Sequence, residues 1–497
     1  MARCPAAACA LVALAVCLGA ADVNAAVHPY RSEPFISVGD AFVFRGGREG
    51  LLASRGEPVD EWGKVSSGVS DGRSFIRFSG VEISRPQDVY DESGLGEGGG
   101  SAVVQAVVFE VNDRDLIGYP AADGASRRYC CTAELASETG CTPGRLLVTP
   151  RAGTPGGPWL SDVEFAPGMT SAWAVEDTVQ VEETGMYYLW FVACDPALAG
   201  ATVSGQTTWK NPGGYLPGMM APNLSFFGCM SLAYMALAAA WFVQYARRWR
   251  HLMMVQNMIT LVVALGMIET STWYFDYVNF NNTGFRPYET TVWAVLLGAA
   301  RKAVSRVLVL VVSMGYGVVR PTLGGMSGRV LALGACYFAA STMLEVESHV
   351  GSIDDLTSSA RVFLVLPVAV LDTAFILWTF ASLSRTLAQL QARRQAAKLD
   401  LYRAFTNVLA VAVLASVGWV AYEMYFKVTD PLNERWESDW VLGAFWHASN
   451  LALICAICWL WRPTDQPTLS AWPGDYEEMQ ELDAEDPAER RPLAGWA

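Results

Sequence analysis

The sequence predicts a membrane protein in which a luminal antiparallel β-sandwich is followed by a seven-helix transmembrane bundle. Seven apolar stretches in the second half of the chain are long enough to span a bilayer. The first half carries short runs of β-branched and aromatic residues between Gly, Pro, Asp and Ser clusters, which is the pattern of strands and turns. The chain is 52% hydrophobic yet has a net charge of -14, so apolar and acidic residues must be segregated along it.

Residues 1–26 have the form of a signal peptide. A single Arg3 precedes an apolar core from Ala6 to Ala21, and small residues continue to Ala26. An apolar core this short, followed by small residues, is typical of a cleaved leader rather than an anchor. The next domain is therefore expected in an oxidising compartment.

Residues 27–221 are predicted to form the β-sandwich. Several stretches alternate with a period of two, as strands with one buried face do: Phe35 to Phe44, Phe75 to Ile83, Ala102 to Val111, Trp173 to Val181 and Tyr187 to Ala193. Four cysteines in this domain, Cys130, Cys131, Cys141 and Cys194, predict two disulfides. Bond geometry disfavours pairing of the adjacent Cys130 and Cys131, which leaves two possible connectivities.

Residues 222–462 are predicted to form the helix bundle. A helix needs about twenty apolar residues to cross the bilayer, and the predicted spans are 224–246, 253–276, 291–316, 330–348, 360–383, 404–426 and 441–461. Basic residues concentrate in the loops on one side, which predicts that this side is cytosolic and that the sandwich is luminal. Asn281, in Asn281-Asn282-Thr283, is a predicted glycosylation site in a luminal loop.

Charged residues inside the predicted spans indicate the working site, because such residues are costly in lipid and normally face a wet interior. The third span carries Arg301, Lys302 and Arg306, and Lys302 and Arg306 share a face by their spacing. Candidate partners and lining residues in other spans are Glu269, Trp273, Asp276, Glu345, Asp372, Glu423 and His447.

The simplest arrangement is a polar cavity open to the lumen, with Lys302 and Arg306 toward its floor and room for a lipid headgroup, a substrate or an ion. The alternative is that the same charges form ion pairs that only hold the helices together. His447 is a candidate pH sensor, although a single histidine on an apolar helix is more often simply hydrogen-bonded.

Other classes of function find little support in the sequence. The four histidines lack the spacing of a metal site or the setting of a catalytic triad, so no catalytic residue, metal or cofactor is expected. The net acidity argues against nucleic acid as a partner. Residues 463–497 form an acidic tail predicted to be disordered and cytosolic, and the motif from Tyr476 to Met479 has the form that coat adaptors bind.

Several segments resemble the lung seven-transmembrane receptor family. These are Gly185 to Phe191, Cys194 to Pro196, Trp209 to Gly218, Tyr245 to Arg250, Gly266 to Glu269 and, most specifically, Lys302 to Gly324. The resemblance implies a GOLD-like β-sandwich on a Wntless-like seven-helix bundle. It also implies residence in Golgi and endosomal membranes and a part in vesicular transport, including retrieval from endosomes to the Golgi.

The function expected from these observations is non-enzymatic protein transport, with membrane lipids or a lipid-modified or membrane cargo bound on the luminal side. Two alternatives remain. A cation channel would use the buried acids to attract ions. A G-protein-coupled receptor is disfavoured because the third span ends in Gly315-Tyr316-Gly317 and the seventh has no Asn-Pro-x-x-Tyr motif.

Overall fold

The structure is a computed structural model that describes residues 26–54, 72–85, 102–120, 127–149, 157–166, 169–174, 176–248, 253–317, 319, 324–350, 358–430 and 433–462. The predicted leader cleavage region before Ala26 and the acidic tail with Tyr476 and Met479 lie outside the described residues. Within them, strands occupy the first part of the chain and long helices the second.

Two five-stranded antiparallel sheets face each other and confirm the predicted sandwich. The first sheet contains β1 (Val27–Pro34), β12 (Thr202–Lys210), β4 (Phe75–Ser84) and β10 (Thr178–Gln180) in that order, with β9 (Ser171–Trp173) also paired to β4. The second sheet runs β2 (Ile36–Val38), β3 (Ala41–Leu51), β11 (Gly185–Ala193), β5 (Val103–Glu110) and β8 (Trp159–Glu164). A small ribbon joins β6 (Tyr119–Pro120) and β7 (Arg127–Arg128).

The central strand β11 is buried on both faces. Leu189 and Phe191 enter the core between the sheets, whereas Trp190 packs on the outer face against Phe109 and Tyr129. A short helix, α1 (Ala133–Thr139), follows this outer layer. Both faces of a strand can therefore carry apolar side chains when each face is covered.

The disulfides follow one of the two predicted connectivities. Cys130 is bonded to Cys194 and Cys131 to Cys141. The first bond ties the segment after β7 to the residue that follows β11, so it holds the outer layer onto the second sheet.

Two predicted strands were wrong in detail. The stretch from Phe35 to Phe44 is divided, since the chain leaves the first sheet at Phe35 and enters the second as β2 and then β3. The stretch from Trp173 to Val181 begins at the last residue of β9 and contains only one further short strand, β10. Strand β1 was missed because its pairing partner, β12, lies far along the chain.

Seven long helices follow in the described part of the chain, as predicted: α2 (Ala221–Arg247), α3 (Met254–Thr283), α4 (Tyr288–Ser313), α5 (Ser327–Val350), α6 (Ser358–Ala392), α7 (Ala396–Thr429) and α8 (Trp436–Leu460). Among the described residues, six of them are long and apolar enough to cross a membrane. Helix α4 does not meet that standard because it carries Arg301, Lys302 and Arg306.

The sandwich contacts one end of the bundle, here called the sandwich side. The backbone N–H of Tyr215, in the linker after β12, donates to the carbonyl of Asn281 in the last turn of α3. Trp436, the first residue of α8, packs against Met186 of β11. The opposite end of the bundle is called the far side.

Candidate functional site in the helix bundle

Helix α4 places three cations near the middle of the bundle, and each pairs with a different neighbouring helix. Arg301 lies 13 residues into α4 (301 minus 288), about 20 Å along its axis at the usual rise per residue. Its Nε donates to Glu269 of α3, and its Nη2 lies 3.2 Å from Glu269 Oε1. Glu269 and Arg301 are only 1% and 3% exposed, so this pair is dry.

Gly298, one turn before Lys302, makes room for the acidic side chains. A Cβ at this position would lie 3.0 Å from Glu269 Oε1 and 3.5 Å from Glu345 Oε2. The absence of a side chain therefore lets carboxylates from α3 and α5 approach the same stretch of α4.

The second pair joins Lys302 to Glu345 of α5, with 2.6 Å between Nζ and Oε1. Ser341 Oγ also donates to this carboxylate at 3.0 Å. The Lys302 side chain is 34% exposed, in contrast to its buried neighbour Arg301.

The third pair joins Arg306 to Asp372 of α6, with 2.6 Å between Nε and Oδ1. The guanidinium also lies over the ring of Tyr337 on α5, 4.8 Å from the centroid. These two charged side chains are 40% and 31% exposed. Since charges in lipid are costly unless a partner or a wet cavity receives them, exposed ion pairs within a membrane span mark an accessible polar site.

The sandwich-side halves of α6 and α7 are less buried than the rest of the bundle. No residue is buried in 365–374 of α6 or in 410–425 of α7, a stretch of more than four turns at 3.6 residues per turn. A helix that packs closely on a bundle buries one face in every turn. The side of α7 that faces the bundle is therefore only partly covered over this length.

The far-side half is closed by an apolar core. Buried side chains from six helices meet there, including Tyr234, Ile259, Leu308, Leu383, Phe405 and Ile457. Tyr402 Oη donates to the Val312 carbonyl at 3.1 Å, and Thr386 Oγ1 donates to the Ser313 carbonyl at 2.8 Å. These bonds satisfy carbonyls at the end of α4, which a helix terminus otherwise leaves without partners.

Asp276 and Trp273 belong to a different cluster, at the sandwich-side junction of α3 and α4. Asp276 accepts from Arg286 Nε at 2.8 Å and from the hydroxyls of Thr290 and Thr291 at 2.8 and 3.2 Å. The Arg286 guanidinium lies over the Trp273 ring at 5.3 Å. Asp276 and Glu269 therefore lie two turns apart on α3 but pair with different cations.

Sequence reasoning did not include Arg286 in the site, although a signal for it existed. Only four residues separate the end of α3 from the start of α4, so residues close to this turn on both sides must lie near one another. Tyr337 was also missed, and nothing in its apolar surroundings distinguishes it from a packing residue.

The structure shows other contacts for two further predicted lining residues, whose place in the site stays a prediction. Glu423 is 2.6 Å from Lys427 on its own helix, in an i, i+4 pair. The ring of His447 packs against that of Phe227 with a centroid distance of 5.1 Å. Among the described residues no group of three or more His, Cys, Asp or Glu side chains could hold a metal ion.

The predicted glycosylation site has a structural role. Asn281 Nδ2 donates to the Gly213 carbonyl at 3.0 Å, and Asn281 Oδ1 accepts from the Leu216 N–H at 3.2 Å. Both bonds join α3 to the linker that follows the sandwich. Glycosylation of Asn281 stays a prediction, and a glycan on Nδ2 would compete with the first of these bonds.

These features define a multi-pass membrane protein with an antiparallel β-domain ahead of a seven-helix bundle. Comparison with known families agrees, because the family described as GOST, seven transmembrane domain, matches residues 222–468. Transmembrane protein 87A of Xenopus tropicalis is 33% identical over 257 residues, covering 51% of this chain and 47% of the relative. Transmembrane protein 87A of Homo sapiens is 34% identical over 287 residues, covering 58% and 51%.

The helix bundle of the chain therefore matches the GOST seven-transmembrane family, and its similarity to the transmembrane protein 87 proteins confirms the resemblance found in the sequence. A more distant relative is membrane protein PTM1 of Saccharomyces cerevisiae (strain YJM789), 24% identical over 329 residues, with 62% of this chain and 60% of the relative covered. The chain spans about half the length of the first two relatives.

Proposed function

We propose that this chain is a non-enzymatic membrane protein of the Golgi and endosomes that acts in vesicular transport and binds a lipid or a lipid-modified cargo. The proposed binding site is a cleft on the sandwich side of the bundle, bounded by α4, α6 and α7. The observation that carries the proposal is the two partly exposed ion pairs, Lys302 with Glu345 and Arg306 with Asp372, beside the stretches of α6 and α7 in which no residue is buried.

The chemistry of the cleft suits an amphiphile. Its floor offers charged groups that can hydrogen-bond a polar head. Its walls are apolar and only partly buried on the sides that face the bundle, as at Val368 and Leu371 of α6 and at Val413 of α7, one turn after the buried Leu409. Acyl or prenyl chains can lie along such walls. In the bilayer core neither the chain nor the apolar wall is hydrated, so their contact costs no loss of water.

The closed far side favours a binding site over a continuous ion path. The core around Tyr402 and Phe405 fills the bundle where an ion would have to leave the cleft. A cation channel therefore requires a second conformation in which this core opens. Recording from reconstituted protein separates the two functions, because unitary currents abolished by E269Q would favour the channel.

A luminal position of the sandwich is supported by the charges of the opposite end. Arg247, Arg385, Arg393, Lys398 and Arg403 all lie at the far-side ends of their helices or in the connections there. Such an excess of basic residues normally marks the cytosolic side. Under this orientation the acidic tail is cytosolic, where coat adaptors could bind Tyr476 and Met479.

The test is lipid analysis of the full-length protein purified from the membrane. We expect mass spectrometry to detect bound lipid at one or a few molecules per protein. The double variant R306Q/D372N, which removes both charges and so leaves no buried charge unpaired, should lower that occupancy at least severalfold. R385Q is a matched control, because Arg385 is exposed near the far-side end of α6.

Equal lipid occupancy in the wild type, the double variant and the control would refute the proposed site. Location is tested separately with a tagged copy. A protein found at the plasma membrane with no Golgi or endosomal pool would contradict the transport function. The binding site would still be tested independently by the lipid assay.

A further inference from the structure

Trp436 joins the sandwich to the last helix through two glycines. A Cβ at Gly50, at the end of β3, would lie 2.6 Å from Trp436 Cε3. A Cβ at Gly218, in the linker before α2, would lie 2.7 Å from Trp436 Cζ3 and 2.5 Å from the Gly50 carbonyl oxygen. The indole therefore rests directly on two stretches of bare backbone, and it is only 5% exposed.

The two glycine segments are fixed to each other by hydrogen bonds. Gly218 N–H donates to the Gly50 carbonyl at 2.8 Å. Asn211 binds both sides of this junction, because its Oδ1 accepts from the Leu52 N–H at 2.8 Å and its Nδ2 donates to the Leu216 carbonyl at 3.0 Å. Trp436 thus packs on a rigid seat made by β3 and the linker.

The same end of α8 is tied to α7. Asp430, which follows α7, accepts from the backbone N–H groups of Glu434 and Arg435 at 2.8 and 2.7 Å, immediately before α8 begins. Further along, Trp419 of α7 stacks on Phe445 of α8 with a centroid distance of 4.1 Å. The exposed half of α7 is therefore supported by α8, whose first residue is held by the sandwich.

From this geometry we infer that the sandwich sets the width of the cleft by holding the sandwich-side ends of α7 and α8 through Trp436, Gly50 and Gly218. The half of α7 without buried residues has little other packing to resist movement. By linkage, an occupant that prefers one width of the cleft must favour one position of the sandwich to the same degree. The inference deepens the proposed function, because it takes the cleft as the binding site, but the mechanical coupling needs no ligand.

The glycines supply a matched pair of variants for the test. G218A places a methyl group against Trp436 and the Gly50 carbonyl, whereas G213A, five residues earlier in the same linker, meets no atom within 4 Å. A second pair removes the indole without introducing a clash. W436A removes the contact of the indole with Gly50 and Gly218. W459A is its control near the other end of α8, where Trp459 is 69% exposed.

The measurement is the distance between spin labels on the full-length protein in nanodiscs. The four free cysteines of the bundle, Cys229, Cys336, Cys455 and Cys458, are first replaced by alanine. Labels at positions 293 of α4 and 424 of α7 report on the sandwich side, and labels at 331 of α5 and 403 of α7 report on the far side. The native residues at these four positions are all exposed.

We expect G218A and W436A to change the mean 293 to 424 distance by roughly 2 Å or more, the scale of helix shifts in switching proteins, or to broaden its distribution. The far-side distance should stay constant, and G213A and W459A should match the wild type. The inference is overturned if hydrogen exchange shows the Gly50 segment released in G218A or W436A while the 293 to 424 distribution is unchanged. Lipid occupancy is measured on the same samples, so loss of the coupling and failure of the binding site give different results.

Discussion

The buried pair of Arg301 and Glu269 allows a quantitative prediction. In the variant E269Q the carboxylate is replaced by a neutral amide of similar size, and the guanidinium of Arg301 remains 3% exposed near the middle of α4. Breaking a buried ion pair by removing one partner costs about 3–5 kcal/mol. An arginine at the centre of a membrane helix costs about 2.5–3.5 kcal/mol on insertion scales.

The two estimates overlap near about 3 kcal/mol, which is the expected loss in the free energy of unfolding. Neutral hydrogen bonds between membrane helices average only about 0.6 kcal/mol, so the predicted loss is well above an ordinary polar contact. The assay is equilibrium unfolding in mixed micelles, with a double-mutant cycle that adds R301M.

The double variant E269Q/R301M should recover most of the loss, because no buried charge is then left without a partner. K302Q is a useful comparison, since the Lys302 pair is partly exposed and should matter less. A loss below about 1 kcal/mol for E269Q, or a double variant no more stable than E269Q, would show that Arg301 finds water or another partner and that the pair is not dry.

Three further predictions concern other parts of the chain. Burial raises the pKa of Glu49 above its ordinary value of 4.5, so the folded state binds the proton more tightly than the unfolded state. The free energy of unfolding therefore falls as pH rises through the raised pKa. E49Q should remove this fall from a plot of the free energy of unfolding against pH. Replacing Cys194 by Ser opens a loop of 64 residues and should cost about 4 kcal/mol, against about 3 kcal/mol for Cys141 and its loop of 10, as measured by denaturant unfolding. G298A should lose about 1–3 kcal/mol by displacing the Glu269 carboxylate, while G418A, which meets no atom within 4 Å, should not destabilise the protein in the same assay. Equal effects of G298A and G418A would contradict the packing argument. Equal effects of the Cys194 and Cys141 variants would contradict the loop argument.

The helix bundle was predictable from the sequence because hydrocarbon thickness fixes the length of an apolar span. The cations of α4 were also evident, since charges in such a span are rare. The acids that pair with them were among the predicted partners, but which acid pairs with which cation was not evident. Lys302 and Arg306 lie on one face by spacing, yet Lys302 reaches α5 and Arg306 reaches α6. Spacing along one helix gives a direction, but only the packing of the bundle decides which neighbour stands there.

Contacts between distant segments explain the remaining differences. Strand β1 has a weak strand pattern and forms because β12 offers it a complete edge to pair with. The seat of Trp436 on Gly50 and Gly218 joins three segments that no local pattern connects. The pair of Glu423 with Lys427, by contrast, is local and follows directly from i, i+4 spacing on α7.

The distribution of partners around α4 has a consequence for biogenesis. Glu269 precedes α4 in the chain, so the translocon can release α3 and α4 as a hairpin with Arg301 already neutralised. Glu345 and Asp372 are synthesised later, on α5 and α6. Until they emerge, Lys302 and Arg306 each oppose insertion by about 2.5–3.5 kcal/mol at the helix centre. Nascent chains that stop before α5 should therefore insert α4 less completely than chains that include α5 and α6.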